Sequence, residues 1–585
     1  MCGIHVSIST KAFHAPSDEL KDLLSNRGPD HLGKAQTKIR ILDGATYWIS
    51  LTSTVLALRG GQLMAQPFQD VPSGSSLCWN GEAWAIAPGP VIGNDGQIVF
   101  DLLLKASSLE LSAADSVAAV LKVLRSISGP FAFVFLDQNH HLMYFGRDRL
   151  GRRSLLFNTD GFPISMEFSS CADPASGGWM EVEADGIYQL SFCHENSVFG
   201  QPNADQHFFS KSIIPLRRHD WEDQNNTSPF LHNYDAPVQH LRRLLCESLK
   251  PRILNVPRPP GLSEAHNVRV AVLFSGGLDC TVLARLAHEL LPSNHEIDLI
   301  NVAFENPRSI NAARKTKTSK KKTDHDAQCN SGATTEDIEG EENDLLSDSY
   351  YEVCPDRKTG RKAFQELQSV CPTRVWRFIA VDVPYKETMA HRAMVVNLIS
   401  PHNTEMDLSI AFALYFAARG VGLASSSLYA DPVPYETPAR VLISGLGADE
   451  LFGGYTRHST AFNRGGFPGL LDEIELDVNR LGKRNLGRDD RVISHWGREA
   501  RFPYLDEALV KWAVECPIWE KCGFGATVLN EPEGPDIEPG KKVLRLLAYA
   551  LGMRSVAIEK KRAIQFGART AKMEVGRIKG TALIT

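Results

Sequence analysis

The sequence predicts an α/β protein with two unlike halves. Short strand-like runs separated by turns fill roughly the first 210 residues, whereas strands alternate with helical patterns after residue 242. Strands that alternate with helices are typical of a parallel, doubly wound sheet. The length of 585 residues is sufficient for two to four domains.

The individual elements are predicted from apolar runs and the turn residues between them. In the first half, these runs predict strands at 46–57, 131–137 and 142–147. In the second half they predict a helix at 280–291 and strands at 268–274, 297–304, 375–381 and 441–444.

Two polar segments divide the chain. Residues 211–237 predict a linker between an N-terminal domain at 1–210 and a second domain at 238–585. Residues 306–350 begin rich in lysine, end rich in acidic residues and contain few apolar ones. Such a segment buries too little apolar surface to offset the entropy of ordering, so we predict a disordered insertion there.

The composition is that of an ordinary soluble globular protein. Apolar residues make up 43% and charged residues 23%, and the formal net charge is −6. That charge gives no reason to expect a nucleic-acid or anionic-membrane partner. The most apolar stretch, residues 408–428, is broken by Arg419, so we predict a buried helix there rather than a membrane span. No secretory signal is predicted at the N-terminus.

The cysteines point to a reducing compartment, and we predict a cytoplasmic location. The eleven are scattered and form no C-x-x-C pair, which argues against a disulfide framework or a structural zinc site. Cys2 stands out by its position. Removal of Met1 would place an α-amine with a pKa near ~8 beside the thiol, where it can act as a base. Position alone is weak support, since a cysteine at residue 2 often has no role.

Further residues of the first half predict a binding pocket for an amino acid that carries a side-chain amide. Asn80 and Gly81 offer an amide group and a backbone N–H, the two donors that an oxyanion hole needs. Arg59 can bind an α-carboxylate and Asp95 an α-ammonium group. Glutamine fits this description. Taken alone, Asn80-Gly81-Glu82 would be read as an ordinary turn.

The first half resembles the class II glutamine amidotransferases. The resemblance rests on motifs in the same order and spacing: Met1-Cys2-Gly3-Ile4, Arg27-Gly28-Pro29-Asp30, Gln66-Pro67, Asn80-Gly81-Glu82 and Gly146-Arg147-Asp148-Arg149-Leu150-Gly151. It implies an N-terminal-nucleophile αββα sandwich with Cys2 as the nucleophile and with Asn80 and Gly81 as the oxyanion hole. It also implies glutamine binding by Arg59, Asn80, Gly81, Glu82 and Asp95.

A phosphate-binding loop is predicted early in the second half. The predicted strand at 268–274 leads into Ser275-Gly276-Gly277-Leu278-Asp279 at the start of a helix, where backbone N–H groups and the helix dipole favour an anion. The loop lacks the Gly-Lys-Ser/Thr ending of a Walker loop. It matches the pyrophosphate-binding loop of enzymes that cleave ATP to AMP and pyrophosphate, with Asp279 as a Mg²⁺ ligand. A glycine turn without a ligand is the alternative.

A second loop is predicted to reach the same edge of the sheet. Ser444-Gly445-Leu446-Gly447-Ala448-Asp449 follows the predicted strand at 441–444, and Asp449 is the predicted second Mg²⁺ ligand. The basic residues Lys561 and Arg562 are candidate contacts to the adenylate or its phosphates. The predicted ATP-binding set is Leu273, Ser275, Gly276, Gly277, Val302, Ser444 and Gly445, with Leu273 and Val302 flanking adenine.

The second half resembles the synthetase domain of asparagine synthetases, so the resemblance covers nearly the whole chain apart from the linker and insertion. Residues 484–491 and Gln565-Phe566-Gly567 are similar to a divergent subgroup of that family. The resemblance implies that Cys2 releases ammonia from glutamine. ATP and Mg²⁺ would then activate a carboxylate, aspartate in the first instance, and ammonia would convert the adenylate to asparagine.

Two departures from the family pattern concern the product. Typical asparagine synthetases carry glutamate where Leu446 stands, and leucine cannot transfer a proton. The family's conserved lysine aligns with Lys561, Arg562 or Ala563, depending on register. A binding or regulatory protein that has lost synthesis is therefore an alternative. A tRNA-modifying enzyme and a phosphoribosyl amidotransferase fit less well, because the chain is acidic and lacks a ribose-phosphate signature.

Overall fold

The computed structural model describes residues 2–41, 44–160, 165–192, 207–208, 235–261, 266–311, 350–427, 430–525, 537–573 and 579–584. The predicted linker at 211–237 and the predicted insertion at 306–350 lie mostly outside these ranges. The C-terminal end of the predicted linker is helical, because a helix begins at Asp235.

The start of the predicted insertion is packed rather than exposed, so that boundary is wrong. Asn306 is 4% exposed, and its side-chain amide donates to the carbonyl oxygens of Arg569 and Ala571. Ile310 is also buried. These contacts hold residues 306–310 against the C-terminal part of the chain, which the composition of the segment did not indicate.

The first half is built mainly from β-strands. Its elements are β1 (Gly3–Ser9), α1 (Asp18–Arg27), β2 (His31–Arg40), β3 (Thr46–Val55), β4 (Phe68–Gln69), β5 (Ser76–Gly81), β6 (Ala85–Ile86), β7 (Gly89–Pro90), α2 (Asp95–Ala106), α3 (Ala113–Arg125), β8 (Ile127–Ser128), β9 (Phe131–Asp137), β10 (Leu142–Arg147), β11 (Leu156–Asn158), β12 (Ser165–Ser169), β13 (Met180–Glu181), β14 (Gly186–Ser191) and β15 (His207–Phe208). They form two antiparallel six-stranded sheets, ordered β13-β11-β12-β1-β3-β2 and β15-β14-β10-β9-β5-β4, and a small sheet, β7-β6-β8.

The two large sheets share one hydrophobic core. Ile4 and Ile49 from the first sheet lie in the same cluster as Val134 and Phe145 from the second. On its other face, the second sheet packs against α2 and α3. Strand β9 is therefore buried on both faces, which explains why its sequence is apolar at nearly every position rather than alternating.

The second half alternates strands and helices. Its elements are α4 (Asp235–Ile253), β16 (Val268–Leu273), α5 (Leu278–Leu290), β17 (Glu296–Phe304), α6 (Pro355–Val370), β18 (Trp376–Val383), α7 (Tyr385–Ala390), α8 (Arg392–Ile399), α9 (Glu405–Arg419), β19 (Val421–Ser425), β20 (Val433–Glu436), β21 (Val441–Ile443), α10 (Ala448–Leu451), α11 (Thr456–Leu481), α12 (Gly487–Ser494), β22 (Glu499–Arg501), α13 (Glu507–Glu515), α14 (Ile518–Lys521), α15 (Lys542–Ala550), α16 (Arg554–Ala557) and α17 (Ile564–Gly567).

One seven-stranded sheet organises this half, in the order β20-β19-β18-β17-β16-β21-β22. Strands β18, β17, β16, β21 and β22 run parallel to one another, and β19 and β20 add an antiparallel edge beside β18. The prediction of a mixed α/β chain is confirmed. Because β16 and β21 are parallel neighbours, the loops that follow them leave the sheet at the same edge.

The apolar stretch at 408–428 is not one buried helix, so that prediction is wrong at its C-terminal end. Helix α9 ends at Arg419, and Gly420 caps it with a left-handed φ of 71°. The chain then turns into strand β19. Helix α9 is buried along most of its length, whereas Val421 and Leu423 of β19 are exposed. Because both elements are apolar, they form one run in the sequence. Within the described ranges, no helix is long and apolar enough to cross a membrane.

Buried arginine pairs join the two halves. Arg27 lies 2.7 Å from Asp490, and Arg153 lies 3.2 Å from Glu499, with all four side chains almost fully buried. Charges so deep in a protein are stable only with partners, and the loss of one partner is costly. The halves are therefore held in one fixed arrangement.

Candidate active site

Cys2 lines a cavity in the first half together with four of the five predicted glutamine-binding residues. Strand β1 starts directly after Cys2 and pairs with β3, which fixes the backbone of the cysteine. The cavity is lined also by Arg59, Gly81, Glu82 and Asp95. Residues from four separate segments of the sequence thus meet around one thiol.

Asn80 is hydrogen-bonded to the backbone of Cys2. Its side-chain oxygen accepts a hydrogen bond from the backbone N–H of Cys2 at 3.0 Å. Its side-chain nitrogen is buried and has no hydrogen-bond partner in the part of the chain that the structure describes. An unpaired buried N–H is costly unless a ligand satisfies it, so the amide nitrogen of Asn80 is a candidate to bind a ligand.

Arg59 and Asp95 are the predicted partners of the α-carboxylate and α-ammonium groups of glutamine. Both already make hydrogen bonds within the protein. Arg59 donates to the carbonyl oxygens of Ala83 at 2.7 Å and Val91 at 2.6 Å. Asp95 accepts from Trp79 Nε1 at 3.0 Å and from the Ala83 backbone N–H at 2.9 Å. Burial raises the pKa of Asp95. These contacts orient both side chains along the cavity wall.

An arginine from the second half reaches this cavity. The guanidinium of Arg501, in β22, lies 3.3 Å from a carboxylate oxygen of Glu82 and 2.6 Å from one of Glu499. Burial raises the pKa of Glu82, and the charge of Arg501 opposes that rise. Arg501 therefore links Glu82, which lines the cavity of the first half, to Glu499 of the second half.

The second centre lies at the edge of the parallel sheet. Strand β16 leads into the Ser275 loop, and α5 starts directly after Gly277. Strand β21 leads into the loop that carries Gly445 and Asp449. A Cβ atom on Gly445 would lie 2.9 Å from the Cβ of Asp279, so glycine is what allows the two loops to touch.

Lys541 joins the two predicted metal ligands. Its ammonium group lies 2.9 and 2.7 Å from the oxygens of Asp279 and 2.6 Å from Asp449. Lys561 contacts the other carboxylate oxygen of Asp449. Burial works in the opposite direction, but these two ammonium groups hold the pKa of Asp449 well below its usual range. Asp449 is therefore a firmly ionised carboxylate.

The chemistry of this pair fits Mg²⁺. Mg²⁺ is commonly bound by one or two carboxylates, with substrate phosphates and water supplying its other oxygens. Asp279 and Asp449 are two such carboxylates at a loop edge suited to phosphates. No cluster of three or more metal-ligating side chains occurs among the described residues, so this pair would depend on the nucleotide to complete the coordination.

The remaining predicted ATP-site residues lie around this centre. Leu273 ends β16 and pairs with Ile300 of β17, two residues before Val302. Ser275 and Ser444 each accept a backbone hydrogen bond from within their own loop, at 3.3 Å in both cases. Arg562 differs from Lys561, since it lies 3.9 Å from Asp356 at the start of α6 rather than beside Asp449.

Leu446 takes no part in the charge network. It is half-buried and packs against the main hydrophobic core. Its backbone N–H donates to Ser444 Oγ at 3.3 Å, which supports the shape of the loop. The position that carries glutamate in typical asparagine synthetases is thus occupied here by a packing residue.

Sequence reasoning missed Lys541. It sits directly before α15, with a left-handed φ of 58°, and is 262 residues from Asp279 in the chain. The only sequence feature near it is the pair Lys541-Lys542 at the start of an amphipathic helix. Such lysine pairs are common at protein surfaces, so this one did not indicate a buried role for Lys541. The role of Arg501 was also missed.

The comparisons with known proteins show the family to which this chain belongs. The asparagine synthase family profile matches residues 468–580. Asparagine synthetase domain-containing protein 1 of Bos taurus is 33% identical to this chain over 98% of its length and 96% of the bovine protein. The protein of the same name from Gallus gallus is 34% identical, covering 98% of each. The chain belongs to the asparagine synthetase domain-containing protein 1 family.

The chain is also similar to a yeast protein and, much more weakly, to a solved amidotransferase structure. Asparagine synthetase domain-containing protein YML096W of Saccharomyces cerevisiae is 31% identical over 96% of this chain and 90% of the yeast protein. A glutamine phosphoribosylpyrophosphate amidotransferase from B. subtilis aligns with 46% of this chain and 60% of its own, at 15% identity and a TM-score of 0.24. That score is too low to support an argument about the fold.

Membership of the asparagine synthetase domain-containing protein 1 family supports an asparagine-synthetase-like function. The segment matched by the family profile contains four residues of the two centres: Glu499, Arg501, Lys541 and Lys561. The glutamine-site cavity lies outside the matched segment, and it is covered by the alignments with the full-length relatives.

Proposed function

We propose that this protein is a glutamine-dependent, ATP-consuming amidotransferase of the asparagine synthetase type. The observation that carries the proposal is the cavity that Cys2 shares with Arg59, Glu82 and Asp95, beside the unpaired amide nitrogen of Asn80. A nucleophile, an oxyanion donor and charged groups for an amino acid are the parts that glutamine hydrolysis requires.

The first half would release ammonia. With Met1 removed, the α-amine of Cys2 takes the thiol proton, and the thiolate attacks the side-chain carbon of glutamine. The amide of Asn80 and the N–H of Gly81 stabilise the oxyanion. Ammonia leaves with the proton held by the α-amine, and water then hydrolyses the thioester to glutamate. Arg59, Glu82 and Asp95 would hold the substrate.

The second half would activate a carboxylate, with aspartate as the proposed substrate. ATP would bind through Ser275, Gly276, Gly277, Ser444 and Gly445, with Leu273 and Val302 at the adenine. Asp279 and Asp449 would hold Mg²⁺, which shields the phosphate charge. Lys541 and Lys561, already next to these carboxylates, would supply further positive charge to the phosphates or the adenylate.

The proposed function goes with a particular fold for each half and with a cytoplasmic location. Two antiparallel sheets around one core, with helices beside them, support an N-terminal-nucleophile αββα sandwich. The mainly parallel sheet supports a doubly wound ATP-pyrophosphatase domain. A closed path between the halves would keep ammonia unprotonated and limit hydrolysis of the adenylate. We propose a cytoplasmic enzyme.

A second candidate is favoured by Leu446. A protein that binds ATP and glutamine but has lost synthesis would have a regulatory or binding role. Leucine at this position cannot manage a proton, whereas ATP binding needs only the backbone of the loop and Asp449.

One set of assays distinguishes these functions. The purified full chain is incubated with glutamine, ATP, Mg²⁺ and aspartate, and glutamate, pyrophosphate and asparagine are measured separately. We expect glutamate release by the unmodified protein and none by Cys2→Ala, with ATP binding intact in both. Glutamate release that survives Cys2→Ala would refute the glutaminase. Pyrophosphate release without asparagine would favour the second candidate.

A further inference from the structure

The side chain of Gln66 faces the sulfur of Cys2. Its amide nitrogen lies 3.7 Å from Cys2 Sγ, within hydrogen-bonding distance for sulfur. Gln66 is 6% exposed and lines the same cavity as Cys2. Bulk water therefore competes little for this contact, although nothing in the mechanism above uses it.

The orientation of the Gln66 amide is decided by its other end. The side-chain oxygen accepts a hydrogen bond from the backbone N–H of Trp79 at 2.9 Å. A backbone N–H can only donate, so the oxygen must face Trp79 and the NH₂ group must face the sulfur. Trp79 and Asn80 are consecutive in β5, so one strand positions both side-chain amides around Cys2.

The sulfur is in surroundings that oppose a thiolate. Burial raises the pKa of Cys2, and the carboxylates of Asp95 and Glu499 act in the same direction. The positive chain terminus and the backbone N–H of Leu56 oppose the rise. A neutral N–H donor aimed at the sulfur stabilises the charged form without adding a group that competes for the proton.

We propose that Gln66 is a positioning residue for the nucleophile, and that its side-chain N–H donates to the Cys2 thiolate and fixes the direction of the sulfur. This rests on the proposed function for the identity of the nucleophile. The thiol proton passes to the α-amine of Cys2, the negative charge stays on sulfur, and Gln66 exchanges no proton. Gln66 acts through Cys2, since no contact with the substrate is required of it.

The test measures the pH dependence of Cys2 itself. The rate of Cys2 alkylation by iodoacetamide is followed against pH in the full-length protein with Met1 removed, by mass spectrometry of the N-terminal peptide. Gln66→Leu should raise the midpoint by about one pH unit, a tenfold loss of thiolate at a given pH below it. Gln66→Glu should raise it at least as much, because a carboxylate replaces the donor.

Gln62→Leu is the matched control. Gln62 lines the same cavity, is exposed at its rim and undergoes the same change of side chain, so its midpoint should remain that of the unmodified protein. An unchanged midpoint in Gln66→Leu would overturn the proposal. If that variant does not fold, Gln66→Met decides instead, because methionine is close to glutamine in length but has no N–H to donate to the sulfur and adds no charge beside it. A shifted midpoint in a protein that releases no glutamate would leave this inference standing and remove the proposed function.

Discussion

The guanidinium of Arg501 lies 3.3 Å from Glu82, although the two residues are 419 positions apart in the chain. Arg501 also lies 2.6 Å from Glu499, so its single positive charge is shared between two buried carboxylates at the junction of the halves. The cavity around Cys2 therefore depends on a strand of the second half for its charge balance. The first half alone would leave Glu82 without this partner.

Replacement of Arg501 by Met should destabilise the protein and lower glutamate release. The change leaves Glu82 and Glu499 with only their other guanidinium partners, Arg59 at 3.4 Å and Arg153 at 3.2 Å. The loss of one partner of a buried pair typically costs about 3–5 kcal/mol. Urea denaturation measures the loss. Arg440→Met is the control, because Arg440 also joins the halves, through Asp30, but both side chains are partly exposed. Its cost should be about 1 kcal/mol or less, and equal losses in the two variants would contradict the prediction.

Replacement of Lys541 by Ala should destabilise the protein in the absence of Mg²⁺ and restore stability in part when Mg²⁺ is added. Without the ammonium group, Asp279 and Asp449 repel each other, at a cost of about 3 kcal/mol. A divalent cation can take the place of the missing charge. Thermal melting with and without Mg²⁺ gives both values. Lys542→Ala changes the same side chain one residue later, and a similar effect of Mg²⁺ on both variants would refute the role of Lys541.

Replacement of Asp356 by Asn should stabilise the protein at alkaline pH. Asp356 is buried at the start of α6, and burial raises its pKa to about 7, against the opposing charges of Arg562 and Lys561. The native state therefore holds this proton more tightly than the unfolded chain does. The associated stability is present below about pH 4 and is lost as the pH rises through about 7.

The gain from Asp356→Asn should accordingly grow from near zero at about pH 4 to about 1–4 kcal/mol above pH 7. Thermal melts across this range measure it. Asp101→Asn, at an exposed position on α2, should follow the profile of the unmodified protein. A gain from Asp356→Asn that is the same at every pH would show that the charge of Asp356 is not its source.

Because leucine occupies position 446, we expect the unmodified protein to bind ATP but to form little asparagine. General acid–base assistance is worth about 10²–10⁴-fold in rate, and leucine supplies none. Leu446→Glu should raise asparagine formation without changing the affinity for ATP, whereas Leu446→Gln, which has the same length but cannot ionise, should not. Mass spectrometry of the product and calorimetry with ATP measure the two effects. Rapid asparagine synthesis by the unmodified protein would refute this prediction.

The strands that sequence predicted best are those with the simplest local pattern. The predicted strands at 131–137 and 142–147 coincide with β9 and β10, because each is an apolar run bounded by turn residues. The stretch at 408–428 was misread because helix α9 and strand β19 are both apolar and only Gly420 separates them. Apolar content alone does not separate a buried helix from a buried strand.

Residues of the two centres could be predicted only where they lie in a short sequence motif. Cys2, Asn80 and Asp279 lie in short motifs whose chemistry can be read from neighbouring residues. Lys541 has no such neighbours, and Arg501 meets Glu82 only after the sheets and helices have assembled. Long-range ion pairs of this kind leave no periodic pattern in the sequence, and their partners are found only in the structure.

The pair formed by Arg27 and Asp490 bears on how the chain is synthesised. The two residues are 463 positions apart, and Arg27 is among the first to leave the ribosome. Until Asp490 has been translated, Arg27 lacks the carboxylate with which it pairs in the folded protein. Its charge is then stable only while the guanidinium remains exposed to water. The N-terminal half therefore cannot close around Arg27 during translation, and its final packing waits for the last quarter of the chain to emerge.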